Sequence, residues 1–381
     1  MPDHDAVTPA LAPWPVRRSG LRPALAIALL AAMALLPVLG GCSKKPTKPA
    51  PTAGPPRSYR MGFMANAPRA DFNLLLQAIN LLIQHSDVAM ISFEAPWDSL
   101  LAGTRADSIV LRQIKPLADY YRGNGLRVWV YVDPANGLNR AAESDPLVAA
   151  GHHITEPAIQ QLYRNWCVAL DTLIHPDVMG LALETNLIRA ASSPTLYNAI
   201  KQVVTDAAAD VRAHDPAATL SASVQVETAW GLLPNVGSYQ GVATDFADFP
   251  FIQVLGLSSY PYFAWAEPES LPLNYYSRLV QGRTTPVGIT EGGWTSESFS
   301  TVVGTADKQR RFMVRQAQLL DDAHAAAVFQ LVFTDIEVAS LPAPQGQGIA
   351  PFSRTGVVDT LLAAKPALAA WDQTRQRPFQ P

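Results

Sequence analysis

From about residue 60 onward, apolar runs of four to eight residues recur along the chain, each closed by a polar residue or by Gly or Pro. Most are followed by a stretch in which apolar positions return every three to four residues. Short continuous apolar runs predict strands buried on both faces, and the stretches between them predict amphipathic helices. Eight strands are expected: Met61 to Met64, Val88 to Phe93, Leu126 to Val132, Val178 to Leu183, Leu220 to Val226, Ile252 to Leu257, Pro286 to Ile289 and Ala326 to Phe333. The clearest helices run from Asp71 to Gln84, from Ser193-Pro194 to about His214, from Thr305 to about Ala325 and over Thr360 to Trp371.

Strand and helix alternating eight times predict a parallel sheet closed on itself, an α/β (β/α)8 TIM barrel forming one domain. The alternative, an open doubly wound sheet, usually carries a Gly-rich phosphate turn, and no G-x-G-x-x-G or Walker motif follows any strand. No cofactor is therefore expected. In such a barrel the chemistry gathers at the C-terminal ends of the strands. The polar residues at those positions are Asn66, Glu94, Asp133, Glu184, Glu227, Tyr260, Glu291 and Asp335.

Glu291 stands out among them. Pro286-Val287-Gly288-Ile289-Thr290-Glu291-Gly292-Gly293-Trp294 reads as a buried strand that ends on a carboxylate. Burying a lone ionised carboxylate costs several kcal/mol, so Glu291 requires a cation, hydrogen-bond donors or a task. The two glycines allow a sharp turn that leaves the carboxylate uncovered, and Trp294 offers a flat apolar face beside it. Glu184 at the end of the fourth strand supplies a second acid. A retaining glycosidase needs two carboxyl groups about 5 to 5.5 Å apart, a spacing that strand ends facing each other across a barrel mouth can provide. Repulsion and burial among six acids in one ring push their pKa values apart, so that an acid and a base coexist at one pH.

A (β/α)8 chain with Glu at the ends of strands four and seven resembles the retaining glycoside hydrolases of clan A, and more narrowly their arabinogalactan endo-β-galactanase-like members. Leu255-Gly256-Leu257-Ser258-Ser259-Tyr260-Pro261-Tyr262 is similar to the strand-six segment of that group, and Ile289-Thr290-Glu291-Gly292-Gly293-Trp294 to its nucleophile strand. Gly356-Val357-Val358-Asp359, followed by Lys365-Pro366-Ala367-Leu368, is similar to the ending common in such barrels. The likeness spans Tyr59 to Trp371. It implies Glu291 as nucleophile, Glu184 as acid/base and Tyr260 as a hydroxyl near the nucleophile, acting on a carbohydrate. The clan pattern has Asn directly before the acid/base to bind the sugar 2-hydroxyl. Here Leu183 holds that position, and Asn186 is the nearby Asn. After strand two, Glu94-Ala95-Pro96-Trp97 stands where an Arg is common.

Other residues carry two readings each. Glu94, Asp133 and Glu227 are candidate substrate ligands or partners of Arg in the barrel mouth. Trp97, Trp230, Trp265 and Trp294 follow strand ends and offer faces for sugar rings or for loop packing. His152-His153 lacks metal-ligand spacing, so no metal is expected, and Cys167 sits in a helical pattern as a buried thiol.

Charge and the N-terminal region narrow the picture. Beyond residue 60 the chain holds 21 basic and 30 acidic residues, which argues against nucleic acid as a partner. Arg17, Arg18 and Arg22 precede the apolar run Pro23 to Val38 and then Leu39-Gly40-Gly41-Cys42, the layout of a secretory signal. Leu-Gly-Gly-Cys resembles the bacterial lipobox, which implies removal of residues 1 to 41, lipidation of Cys42 and a membrane anchor, with Ser43 leaning to the outer membrane. Residues 42 to 58 read as a Pro/Lys-rich tether and residues 59 to 381 as the barrel domain, expected to act as a monomer. A retaining glycosidase, a non-catalytic carbohydrate-binding surface lipoprotein and a structural envelope protein are all open at this point.

Overall fold

The computed structural model describes residues 54–233 and 236–381. Residues 1 to 53, including Cys42 and the signal-like segment, lie outside the described residues. Among the described residues no helix is long and apolar enough to cross a membrane.

Eight parallel strands close into a barrel: β1 Arg60–Met64, β2 Val88–Glu94, β3 Arg127–Asp133, β4 Val178–Gly180, β5 Leu220–Gln225, β6 Val254–Ser259, β7 Val287–Gly292 and β8 Ala327–Gln330. Each strand pairs with its sequence neighbours, and β1 closes the ring against β8. The expected fold is the observed one.

Period-two alternation sorts the side chains. Met61 and Phe63 of β1, Val128 and Val130 of β3, and Val287 and Ile289 of β7 face outward, into the layer beneath the helices. Val88, Met90, Trp129, Tyr131, Val178, Val254 and Phe329 fill the interior. Two aromatic side chains from one strand fit there because glycines stand at the same level on the neighbouring strand β4 and on β7 across the barrel. A Cβ on Gly180 would lie 2.0 Å from the Tyr131 ring, and one on Gly288 would lie 2.9 Å from Trp129. The barrel is thus a packed core whose open end alone is available for chemistry.

The long outer helices are α1 Phe72–Gln84, α2 Lys115–Gly123, α3 Pro157–Ile174, α4 Pro194–His214, α5 Ala306–Asp322 and α6 Pro366–Arg375. The Asp71 side chain accepts from the backbone N–H groups of Asn73 and Leu74 at the start of α1, and Thr305 does the same for Lys308 at α5. Between β5 and β6, and between β6 and β7, only short helical turns occur, so the helical ring is incomplete on that side. A two-stranded hairpin, Glu297–Phe299 with Val302–Thr305, follows β7.

Several expected boundaries are corrected. The fold begins before Tyr59: Arg57 is buried, donates its backbone N–H to Pro378 at 2.8 Å and pairs with Asp87 at 2.9 Å. The last helix starts at Pro366 and not at Thr360, because Asp359 Oδ1 takes the N–H groups of Leu361 and Ala363 into a turn and Pro366 then opens the helix. β4 stops at Gly180, three residues short of Leu183. Beyond Gly180 the chain still tracks β5, through Leu181 N–H to Ser221 at 2.9 Å and Ser223 N–H to Ala182 at 3.0 Å. β7 continues past Ile289, so that Glu291 is a strand residue.

Candidate active site

Strict alternation along β7 would turn Glu291 toward the helices, since Val287 and Ile289 face that way. A β-bulge prevents it. Leu257 pairs with Ile289, but Ser258 pairs with Glu291, so β7 spends one extra residue between these two rungs. One inserted residue reverses the facing of the later side chains on the strand, and Glu291 comes level with Ser258 on the inner side. Gly292 makes the bulge possible: its φ is 155°, and a Cβ there would lie 2.4 Å from the carbonyl oxygen of Ser259.

Glu184 reaches the same rim by a different device. Its backbone is left-handed, φ 49° and ψ 46°, where the chain leaves β4 and enters the short helix Thr185–Ala191. A bulky residue rarely adopts this conformation, and such strain concentrates at functional sites. Ser223 Oγ accepts the Glu184 N–H at 2.9 Å and fixes the turn.

Ser258 links the two acids. It is the cross-strand neighbour of Glu291, and its hydroxyl donates to Glu184 Oε1 at 2.6 Å. Arg140, from the loop after β3, donates through Nε to Glu184 Oε2 at 2.8 Å and through Nη1 to Asp133. Burial alone would lower the Arg140 pKa, but the charges of Asp133, Glu184 and Glu291 outweigh it and hold the guanidinium protonated. Tyr260 donates its hydroxyl to Glu291 Oε1 at 3.0 Å, and Glu291 Oε2 has no partner among the described residues. Burial first, and then the charge of Glu184, push the Glu291 carboxyl up to about 7.

A cavity of about 410 Å³ opens beside this cluster, with Arg140, Glu184, Gln225, Tyr260, Phe263 and Phe352 among its lining residues, so Glu184 reaches its wall whereas Glu291 lies behind Tyr260. Cavities of this size take small ligands. Phe263 is 38% exposed, and Phe352 packs on Tyr260 with ring centroids 4.6 Å apart, so the rim offers aromatic faces. A larger groove of about 880 Å³ runs along the outside between α3 and the segment after β2, and none of the strand-end acids lines it.

The remaining expected site residues divide into those near the pair and those held elsewhere. Asp133 ends β3 and is Arg140's second partner, with burial raising its pKa against the pull of that arginine. Glu94 ends β2, accepting from Gly137 N–H at 2.8 Å and Ser144 Oγ at 2.6 Å, and burial raises it as well. It holds the Arg140 loop from below.

Glu227 is fully buried, accepting from Tyr275 at 2.8 Å, from Ser259 and Tyr260 N–H at 3.1 Å each, and from Gln225. Burial pushes it up to about 7 against those donors. Its place is beneath the rim, so it is corrected from substrate ligand to scaffold. Asn186 receives the same correction, since its amide donates to Gln225 carbonyl at 2.8 Å and accepts Gln225 N–H at 2.7 Å, clamping the end of β5.

Trp97, with 0% exposure, stacks on Tyr163, and Trp294, with 1%, packs on Phe312. Neither presents a face to a ligand, because the core beneath each strand end takes up the indole. Trp230 is sandwiched by Tyr275 and Arg278. Asn66 ties β1 to Thr334, and Asp335 pairs with Lys365 at 2.8 Å. His152 and His153 pair with Glu156 and Glu143, and no cluster among the described residues has the make-up of a metal site.

Sequence reasoning missed Arg140, Ser258 as a link, Phe263 and Phe352. Arg140 was open to detection only as a lone cation seven positions after a strand-end Asp, in a loop rich in Gly, Asn and Pro.

No family model matches the chain, and no curated protein sequence matches it. Solved structures do. An exo-β-1,4-mannosidase from Opitutaceae bacterium strain TAV5 aligns with TM-score 0.60 and 14% identity over 84% of this chain, which spans 59% of that enzyme's length. A GH5_18 protein from Streptomyces cattleya in complex with GlcNAc aligns with TM-score 0.59 and 16% identity, over 86% of this chain and 82% of the other. Xylanase 10B from Thermotoga maritima aligns with TM-score 0.55 and 13% identity, over 84% and 95%. At these identities the likeness is one of fold, and the chain has the eight-stranded parallel barrel of these glycoside hydrolases.

Proposed function

We propose that the chain is a glycoside hydrolase that cleaves a polysaccharide or oligosaccharide by double displacement with retention of configuration, Glu184 and Glu291 being the two reacting carboxyl groups. The observation that carries this reading is the convergence of both acids on Ser258, which touches one and neighbours the other, at the open end of a barrel that is otherwise filled. A bulge and a left-handed residue, each locally costly, are what turn the two acids inward. One carboxyl attacks the anomeric carbon while the other protonates the leaving oxygen, and the second then activates water to release the sugar. Phe263 and Phe352 are the proposed stacking faces, and Asp133 and Glu94 act through the Arg140 loop. The narrower kinship with arabinogalactan endo-β-galactanases, based on the segments around Tyr260 and Glu291, points to β-linked galactose polymers as the first substrates to try.

The same proposal covers location. The chain is read as an envelope lipoprotein, cleaved after Gly41, anchored through a lipid on Cys42 and held off the outer membrane by residues 42 to 56. Metabolic labelling with a fatty-acid probe that fails to mark the wild type, or marks Cys42→Ser equally, overturns the anchor.

A second reading, a non-catalytic carbohydrate-binding lipoprotein, is favoured by one observation. Both Glu184 oxygens are already engaged by Arg140 and Ser258, and Leu183 stands where the sugar-binding Asn of the clan pattern belongs. A glycan panel separates the two: hydrolysis lost in Glu184→Gln and Glu291→Gln supports the enzyme, whereas binding without turnover supports the second reading.

A further inference from the structure

Five different loops build the cavity beside the two acids. The segments after β3, β4, β5, β6 and β8 each set one apolar side chain on its wall: Leu138, Leu187, Leu233, Phe263 and Phe352. These side chains are held against one another across the mouth. A Cβ on Gly348, in the helix Ala343–Ile349, would lie 3.1 Å from Leu138, so the segment after β8 closes against the loop after β3. Phe263 meets Phe352 edge to face with ring centroids 5.9 Å apart, and Phe352 rests on Tyr260.

The polar groups on the same wall are already engaged. Gln225 donates to Glu227 and accepts the Thr228 N–H. Tyr260 donates its hydroxyl to Glu291 at 3.0 Å, and Arg140 turns its donors to Glu184 and Asp133. Asn139, out at the exposed rim, accepts the Ala141 N–H at 3.2 Å. A second sugar lodged here would give up water at several hydroxyls and meet few partners, and each polar group buried unpaired is costly. An apolar group gives up no hydrogen bond on entering and gains with the area it covers.

Glu184 fixes what that group is joined to. Its carboxyl is on the wall, whereas Glu291 lies behind Tyr260. On the glycosidase reading above, on which this inference rests, and with the roles the resemblance implies, Glu184 protonates the departing oxygen, so the group carried by that oxygen extends into the cavity. We infer that the cavity is the leaving-group half of the site and takes an apolar aglycone, the hydrocarbon part of an aliphatic or aromatic alcohol, in preference to a second sugar. Glycans with a sugar in that half remain substrates at lower kcat/KM. The Glu291 carboxylate bonds to the anomeric carbon, the glycosidic C–O bond breaks with its electron pair on the leaving oxygen, and the Glu184 proton joins that oxygen to release the alcohol. Water then bonds to the anomeric carbon and gives a proton to Glu184, while the ester C–O bond breaks and returns its electron pair to Glu291.

The test uses the full chain with the methyl and hexyl β-glycosides of glucose, galactose and mannose, and β-linked disaccharides of the same sugars. Methanol and hexanol depart with nearly equal ease, so the hexyl-to-methyl ratio of kcat/KM reads contact with the protein and not leaving-group chemistry. Burial of a few methylenes should raise that ratio to about tenfold or more, with the disaccharide below the hexyl glycoside. Leu138→Asp and Phe263→Ser, at residues 49% and 38% exposed and therefore tolerated by the fold, should each lower the ratio by about threefold or more. A ratio near one, a ratio unchanged in both variants, or a disaccharide preferred to the hexyl glycoside overturns the inference and leaves the hydrolase reading standing. Calorimetric titration with methyl and hexyl 1-thio-β-glycosides, which resist cleavage, reads the cavity without turnover. Hexyl binding that is tighter than methyl and weakened in Leu138→Asp, with no hydrolysis of any glycoside, upholds the apolar site and overturns the hydrolase reading. Absence of turnover together with absence of length-dependent binding overturns both.

Discussion

Glu227 shows how a strand-end acid can matter without meeting substrate. Four donors converge on a carboxyl that is wholly enclosed, so removing it strands those donors in the core. Glu227→Leu is expected to cost about 3 to 5 kcal/mol in urea denaturation, because the loss of one member of a buried polar network leaves the others unpaired. Glu291 behaves differently. Its folded pKa is raised from the ordinary 4.5 to about 7, so the folded chain holds this proton more tightly than the unfolded chain does. Its contribution to stability is complete below the unfolded pKa and is lost as pH rises through about 7. Glu291→Gln should therefore gain on the wild type in urea midpoint between pH 5 and pH 8; a constant difference across that range would contradict the raised pKa. Both acids were legible in the sequence as polar residues at strand ends, but the full enclosure of Glu227 was not. Four residues at and beyond the end of β6, Ser259, Tyr260, Tyr275 and Tyr276, decide whether such a carboxyl is enclosed, and no local pattern announces that.

The elements were legible wherever a strand is buried on both faces and a helix shows one apolar stripe, as in β3 and α5. They were not legible where the pairing is irregular. β4 shrinks to Val178–Gly180 because its continuation is held to β5 by single hydrogen bonds, and the facing of Glu291 depends on a bulge between Ile289 and Glu291 that apolar periodicity does not record. Gly292 is the residue on which that bulge turns. Gly292→Ala places a Cβ at 2.4 Å from Ser259 carbonyl, in a backbone region closed to L side chains. It should cost about 1 to 3 kcal/mol and lower turnover by reorienting Glu291. A variant with wild-type stability and rate would show that the bulge does not aim the acid. Trp97 and Trp294, open in the sequence to sugar stacking or to packing, take the second course: an aromatic residue just past a strand satisfies the core layer as readily as a ligand, and here Tyr163 and Phe312 receive them.

Across the whole molecule, the two ends of the described chain are joined at the bottom of the barrel, opposite the site. Arg57 pairs with Asp87 and bonds to Pro378, Trp371 of α6 donates its indole N–H to His85 carbonyl at 2.9 Å, and its ring packs on Phe63 of β1 at 4.6 Å. α6 therefore seals the seam where β1 meets β8. Trp371→Ala is expected to cost about 3 to 5 kcal/mol and to leave KM unchanged at temperatures where the variant remains folded. A rise in KM without loss of stability would mean that α6 communicates with the mouth. This division of labour, with ends and seam below and the two acids above, leaves the rim of a filled barrel as the place for the proposed chemistry.

The claim that governs all of this is that Glu184 and Glu291 act on one glycosidic bond. It is tested most directly by initial rates on a panel of 2,4-dinitrophenyl β-glycosides and β-galactan oligosaccharides for the wild type, Glu184→Gln and Glu291→Gln. The account predicts hydrolysis of at least one oligosaccharide with retention of anomeric configuration, and on that oligosaccharide a loss of about 10²-fold or more in both variants without a matching loss of stability. Oligosaccharide hydrolysis that survives either substitution unchanged, or a wild type that binds these sugars and cleaves none, would contradict it.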